Sequence, residues 1–164
     1  MNGKHIDLIV QQCTNQQVLD RPDAIARFAV AYEQARLSTS VPTLDQIMAW
    51  AELIEPVNAK GFRCVPVRFG WHSQGMRPDM IERALQSWYE AYRSYLLTGE
   101  QCFGENRDGI TVDQHTEFYR TFEEIHPFED GNGRLGHLLW AISHMFQGNG
   151  WPMNLPPDLW RTDK

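Results

Sequence analysis

Residues 126–146, HPFEDGNGRLGHLLWAISHMF, decide how the rest of the chain is read. The run from His126 to Arg134 packs a base, an acid, a glycine turn and a cation close together. Pro127 disfavours helical backbone at His126 and ends the preceding helix there, which places the imidazole at a helix exit, able to point into a cleft. Gly131-Asn132-Gly133 then precedes apolar residues at 135, 138, 139, 142, 145 and 146, the period of a helix. The turn therefore opens a helix. Unpaired N–H groups and the positive end of the helix dipole favour an anion there, and glycine lets backbone approach it without a Cβ in the way. A nucleotide phosphate is the expected ligand.

Outward from this run the chain reads as mostly helical. Residues 23–36 place Ile25, Phe28, Ala29, Tyr32 and Ala35 on one face, and residues 44–55 do so with Leu44, Ile47, Met48, Ala51 and Ile54, opened by a capping box at Thr43 and Gln46. Residues 79–97, after Pro78, are long enough for a central packing helix. Thr111 with Gln114 is expected to cap a fourth helix that runs into His126, and Gly148, Gly150 and Pro152 end the fifth. One segment breaks the pattern: in GFRCVPVRFG, residues 61–70, Val65, Val67 and Phe69 alternate with Pro66 and Arg68, an edge strand or hairpin. The tail beyond Gly148 is irregular, with Trp151, Leu155, Leu159 and Trp160 expected to fold back onto the core.

At 164 residues, with 42% apolar and 22% charged residues, the chain is expected to be one soluble domain over 1–164. It shows no long apolar run and no secretory leader, so a cytoplasm is the expected site of action, its own cell's or a recipient's. A net charge of −6 argues against broad nucleic-acid binding, and no membrane partner is expected. Cys13, Cys64 and Cys102 form no close pair and are expected as reduced, partly buried thiols.

The run His126–Arg134 resembles the signature of the Fic-domain family, H-P-F-x-[DE]-G-N-G-R-x-x-R, at every specified position up to Arg134; His137 stands where the family has a second arginine. The resemblance implies a mainly α, single-domain Fic-like helical bundle with a short β-hairpin flap at about 61–70 and a signature loop and helix over 126–147. It implies transfer of a nucleotide monophosphate, AMP from ATP most often, to a Ser, Thr or Tyr hydroxyl of a protein. UMP, phosphate or phosphocholine transfer, or an inactive nucleotide-binding protein, are the alternatives on the same scaffold. His126 is then the general base, suited to it because imidazole titrates near neutrality. Asp130 is the ligand for Mg²⁺, which needs only one or two carboxylates beside phosphates. Gly131, Asn132, Gly133, Arg134 and His137 form the expected nucleotide site, with Arg134 also stabilising transition-state charge. In the flap, Arg63, Val65 and Val67 are the expected target-binding residues, since an exposed strand edge can pair with an extended peptide. If His137 does not bind phosphate, Arg63 or Arg68 is the candidate replacement. The family's inhibitory motif is absent in strict form, the nearest fit being Gln101–Asn106, so any regulation is expected from a partner or another mechanism.

Overall fold

The computed structural model describes residues 1–69, 73–105, 109 and 112–159. Six α-helices dominate: α1 Gly3–Asn15, α2 Pro22–Arg36, α3 Leu44–Ile54, α4 Ile81–Thr98, α5 Gln114–Ile125 and α6 Asn132–Phe146. A 3₁₀ turn, Pro56–Lys60, follows α3. No helix among the described residues is long and apolar enough to cross a membrane.

Local chemistry explains most of the boundaries. Thr43 Oγ1 accepts the Gln46 N–H at 3.0 Å and opens α3, Pro22 starts α2, and Gly99 ends α4 in the left-handed region at φ 71°. The cap of α5 is Asp113, which accepts from the His115 backbone N–H; Thr111, the expected cap, lies outside the described residues. The sequence reading missed α1 altogether. Its buried face is His5, Leu8, Ile9, Gln12 and Cys13, a full helical period in which two members are polar.

The centre of the fold is α6, not α4 as length suggested. Every residue from Asn132 to Ser143 is buried, and α6 packs on α2, α3, α4 and α5. A helix apolar nearly all round is enclosed by its neighbours, whereas α4 is amphipathic and covers one side. There Trp88 stacks on Tyr92 at 4.6 Å beside Phe118 and Phe122, and the Tyr92 hydroxyl donates to the Leu139 carbonyl at 2.6 Å. Such aromatic packing contributes beyond its buried area. The helix that starts at the glycine turn is thus the most rigidly held element.

The strand expected over 61–70 shrinks to Arg68–Phe69, which pairs antiparallel with Ser73–Gln74. Residues 61–67 are not strand, because Arg63 draws their backbone toward the end of α5 instead. Trp71 and His72 lie outside the described residues. In the tail, the Trp151 indole donates to the Tyr32 hydroxyl at 2.7 Å and packs edge-on against its ring; Trp160 is not among the described residues. Cys13 is buried, whereas Cys64 and Cys102 are exposed, and all three are free thiols.

Candidate functional site

His126 is the C-cap of α5, in the left-handed region at φ 49° and ψ 61°. A non-glycine residue rarely adopts that conformation, and it persists only where its surroundings hold it. Here the hold is Arg63, 3% exposed. Its guanidinium donates to the carbonyls of Ile125, His126, Val65 and Met76, and its backbone N–H donates to the Pro127 carbonyl at 3.1 Å. These include carbonyls that the end of a helix leaves without partners, and a cation is favourable there. Arg63 is therefore committed to backbone carbonyls and does not line the cleft. Val65 and Arg68 are exposed and Val67 is half-buried.

The arrangement keeps the His126 imidazole neutral. Burial first, then the Arg63 charge, push it down to about 4, against a hydrogen bond to the Glu123 backbone carbonyl and the charge of Asp130. At neutral pH the ring can accept a proton, as a general base must.

The turn from Phe128 to Gly133 is stapled from within. Asn132 accepts the Phe128 N–H at 3.0 Å and donates to the Phe128 carbonyl at 2.9 Å, so its side chain closes the loop and is unavailable to an anion. Anion contact at Asn132 is left to the backbone. Asn58 ties the Asp130 carbonyl to the Ala51 carbonyl, at 2.9 and 3.1 Å. Gly131, at φ 79°, has no room for a side chain, since a Cβ would lie 3.0 Å from Ile54 and 3.2 Å from Glu55. Phe128 is a buried anchor packed near Phe62, and Glu129 is exposed and paired with Lys60. Asp130 projects into the cleft with its side chain 52% exposed; one oxygen accepts the Gly131 N–H at 2.7 Å.

Arg134 lies beneath the turn with no exposed side-chain surface and does not line the cleft. Its Nη2 pairs with Glu55 Oε1 at 2.9 Å and lies 3.5 Å from Asp130. The anion that balances this cation comes from the chain itself, whereas the sequence reading assigned that part to phosphate. Burial alone would raise the Glu55 carboxyl, but hydrogen bonds from Arg21 and Arg134 and their charges hold it below its ordinary value. His137 departs furthest from expectation. It is fully buried among Phe28, Tyr32 and Trp140, both ring nitrogens lack hydrogen-bond partners, and burial lowers it to about 3. It faces the core and is not among the residues that line the cleft.

A cleft of about 580 Å³ joins these parts. His126, Asp130 and the 131–133 turn form one side; Gln12, Asn15 and Gln16 of α1, Tyr119 and Glu123 of α5, and residues 155–159 form the others. Sequence reasoning missed this second group. The only signal for α1 was a helical face with Gln12 in it, and for Glu123 its place one turn before His126. The cleft has the size of a small-molecule site, and among the described residues no lysine or arginine lines it. Among the described residues, no cluster of three His, Cys, Asp or Glu side chains could hold a metal by itself. Asp130, half-exposed at the turn, is a single carboxylate of the kind magnesium uses beside phosphate oxygens. In Gln101–Asn106, Glu105 is exposed and Asn106 lies outside the described residues.

With this geometry in hand, the chain matches the family model described as Fic/DOC family over residues 42–142. No curated protein matches it.

Proposed function

The chain belongs to the Fic/DOC family, and from that premise we propose that it transfers AMP from Mg-ATP to a Ser, Thr or Tyr hydroxyl of a target protein, with residues 1–164 as one domain. Members of the family move nucleotidyl or phosphoryl groups onto proteins. The observation that carries the reading is His126, held neutral at the helix exit on the wall of the cleft that Asp130 and the α6 N-terminus share.

In this reaction His126 takes the hydroxyl proton as the oxygen attacks the α-phosphorus, and the bond to the pyrophosphate leaving group breaks. The backbone N–H groups at the start of α6 would hold the phosphates, and Asp130 would hold magnesium with them, an ion that when bound would supply charge neutralisation on phosphate and leaving group. Arg134 acts from below, its charge fixing the turn through Glu55 and Asp130. Preorganised donors of this kind do most of the work in phosphoryl and nucleotidyl transfer. The exposed edge near Val65 and Arg68 is the docking strip for the target's extended segment. The reaction belongs in a cytoplasm, the cell's own or a recipient's, with regulation by a separate partner.

A second reading rests on His137 and on a cleft that no lysine or arginine lines among the described residues: another group is transferred on the same scaffold (UMP, phosphate or phosphocholine), and a donor without a γ-phosphate, such as CDP-choline, needs no side-chain cation there. One experiment addresses both. Purified protein and His126→Ala are incubated with magnesium, cell lysate and separate donors (ATP, UTP, CTP, GTP, CDP-choline), and modified peptides are read by mass spectrometry. An AMP adduct present with the wild type and lost at least 100-fold in His126→Ala is expected. An adduct from another donor selects the second reading. Undiminished labelling by His126→Ala removes the histidine mechanism.

A further inference from the structure

Helix α6 carries two glycines on one face, Gly133 and Gly136, one turn apart, and each makes room for a polar side chain. A Cβ on Gly133 would sit 2.4 to 2.5 Å from the Gln16 carboxamide; one on Gly136 would sit 2.4 Å from Glu123 Oε1 and 2.9 Å from the Tyr119 ring. Both Gln16 and Glu123 line the cleft. Gln16 rests against the phosphate-binding turn, and Glu123 lies one helical turn further along α6. A ligand whose phosphates occupy the turn therefore has its next portion beside Glu123.

Glu123 is 5% exposed, and among the described residues no hydrogen bond satisfies its Oε1. A buried carboxyl oxygen without a partner is costly, and native proteins keep few of them. An apolar side chain would fill the seat over Gly136 without leaving an orphaned group. Burial raises the group to about 8, so at neutral pH it keeps its proton and is at once donor and acceptor. Gln12 and Asn15 of α1, which also line the cleft, are uncharged as well, and Tyr119 supplies an aromatic ring beside Glu123. Around Glu123 the lining therefore offers neutral hydrogen-bonding groups, with Asp158 a charged group near Tyr119.

We propose that Glu123 recognises the nucleoside half of the donor, its carboxyl hydrogen-bonding a neutral donor-and-acceptor edge of the base or ribose. The inference rests on the nucleotide reading above and adds the residue that discriminates among donors. A base edge carrying both a ring nitrogen and an exocyclic amino group matches a protonated carboxyl or a carboxamide in the same way, which makes glutamine the faithful replacement.

The test is calorimetric titration of wild type, Glu123→Ala and Glu123→Gln with the magnesium complexes of ATP, GTP, CTP, UTP and tripolyphosphate, with thermal melting as the check on folding. For the nucleotide that binds wild type best, Glu123→Ala is expected to lose roughly 10- to 100-fold in affinity. Glu123→Gln should recover it to within about threefold, and tripolyphosphate should bind all three proteins within about twofold. Equal nucleotide affinity in Glu123→Ala overturns the inference and leaves the transferase reading standing. So does a glutamine variant as weak as the alanine one, since it marks a structural role. If tripolyphosphate binds and nucleotides bind no better, the inference falls while the phosphate cradle stands. If neither binds wild type, the nucleotide reading fails and takes the inference with it.

Discussion

The stretch that matches the family, residues 42–142, and the two flanks outside it bring different things to the same cleft. The matched stretch carries His126, Asp130, the glycine turn and the buried Arg134–Glu55 pair. The flanks carry Gln12, Asn15 and Gln16 on one side and Leu155 to Leu159 on the other. The groups proposed to act on phosphate are close in sequence, on a turn closed by the hydrogen bonds of Asn132 and Asn58. The flanking groups that close the cleft around the remainder of a ligand come from α1 and an irregular tail. The difference teaches that the wall of the cleft is completed from outside the matched stretch, where α1 and the tail meet Tyr119 and Glu123 of α5, so substitutions in the flanks and at the turn should fail in separate ways.

The largest expected effect on stability lies in the matched stretch. Arg134→Met leaves the Glu55 carboxylate buried with only the half-exposed Arg21 and the distant Arg27 to balance it. Removing one partner of a buried pair destabilises by about 3 to 5 kcal/mol, and adding Glu55→Gln should recover part of that. Urea denaturation measures both. A single variant as stable as wild type would show that the turn does not depend on the pair.

Acid should come next. His126 and His137 titrate at about 4 and about 3 in the native protein against an ordinary 6.5, so below pH 6.5 the unfolded chain binds protons that the native one refuses. Their contribution is complete above pH 6.5 and is lost as pH falls toward the native values, by about 2 kcal/mol each at pH 5. His115 and His144, stacked at 3.9 Å and both lowered by burial, act in the same direction. Glu123 acts in the opposite one: raised from 4.5 to about 8, its contribution is complete below pH 4.5 and is lost as pH rises through 8, so acidification recovers about 2 kcal/mol of it. The melting temperature should therefore fall between pH 7 and pH 5, and His137→Leu should flatten that fall. A profile unchanged by the substitution would mean that His137 is not buried as a neutral ring.

The matched stretch was also the legible one. A helix exit, a glycine turn and a helix N-terminus leave local marks, and His126, Asp130 and Phe128 lie where those marks placed them. What stayed hidden is how the fold itself engages polar side chains. Asn132 and Arg63 have the right chemistry to bind a ligand, but the Phe128 backbone four residues away engages the first, and carbonyls brought close by tertiary packing engage the second. His137 has helical spacing from Arg134 but points among Phe28 and Tyr32, which belong to a helix a hundred residues earlier in the chain. Helix α1 was hidden because His5 and Gln12 interrupt its apolar face, and Gln12 is polar where it lines the cleft.

A smaller effect should separate the tail from the core. Trp151→Phe removes the hydrogen bond to the Tyr32 hydroxyl while keeping an aromatic ring against it, a loss of about 1 kcal/mol in thermal unfolding. Because residues 155–159 close the cleft, nucleotide affinity should fall as well, whereas affinity for magnesium tripolyphosphate should not. Equal losses for both ligands would tie the tail to the phosphate cradle and weaken the division between segments.

The smallest effect sharpens that division most. Gln16 belongs to the flank, yet its carboxamide lies against Gly133 of the matched stretch, so it stands at the border between phosphate and nucleoside. Gln16 is half-buried and makes no side-chain hydrogen bond among the described residues, so Gln16→Ala should change stability by no more than about 0.5 kcal/mol. Loss of one neutral hydrogen bond to a ligand should cost about three- to tenfold in affinity. Unlike Glu123→Ala, it should weaken magnesium tripolyphosphate and nucleotides by the same factor, because its contact is with the phosphate end. A loss confined to nucleotides would move Gln16 to the nucleoside wall and shift the border between the segments inward, to the backbone amides at the start of α6 alone.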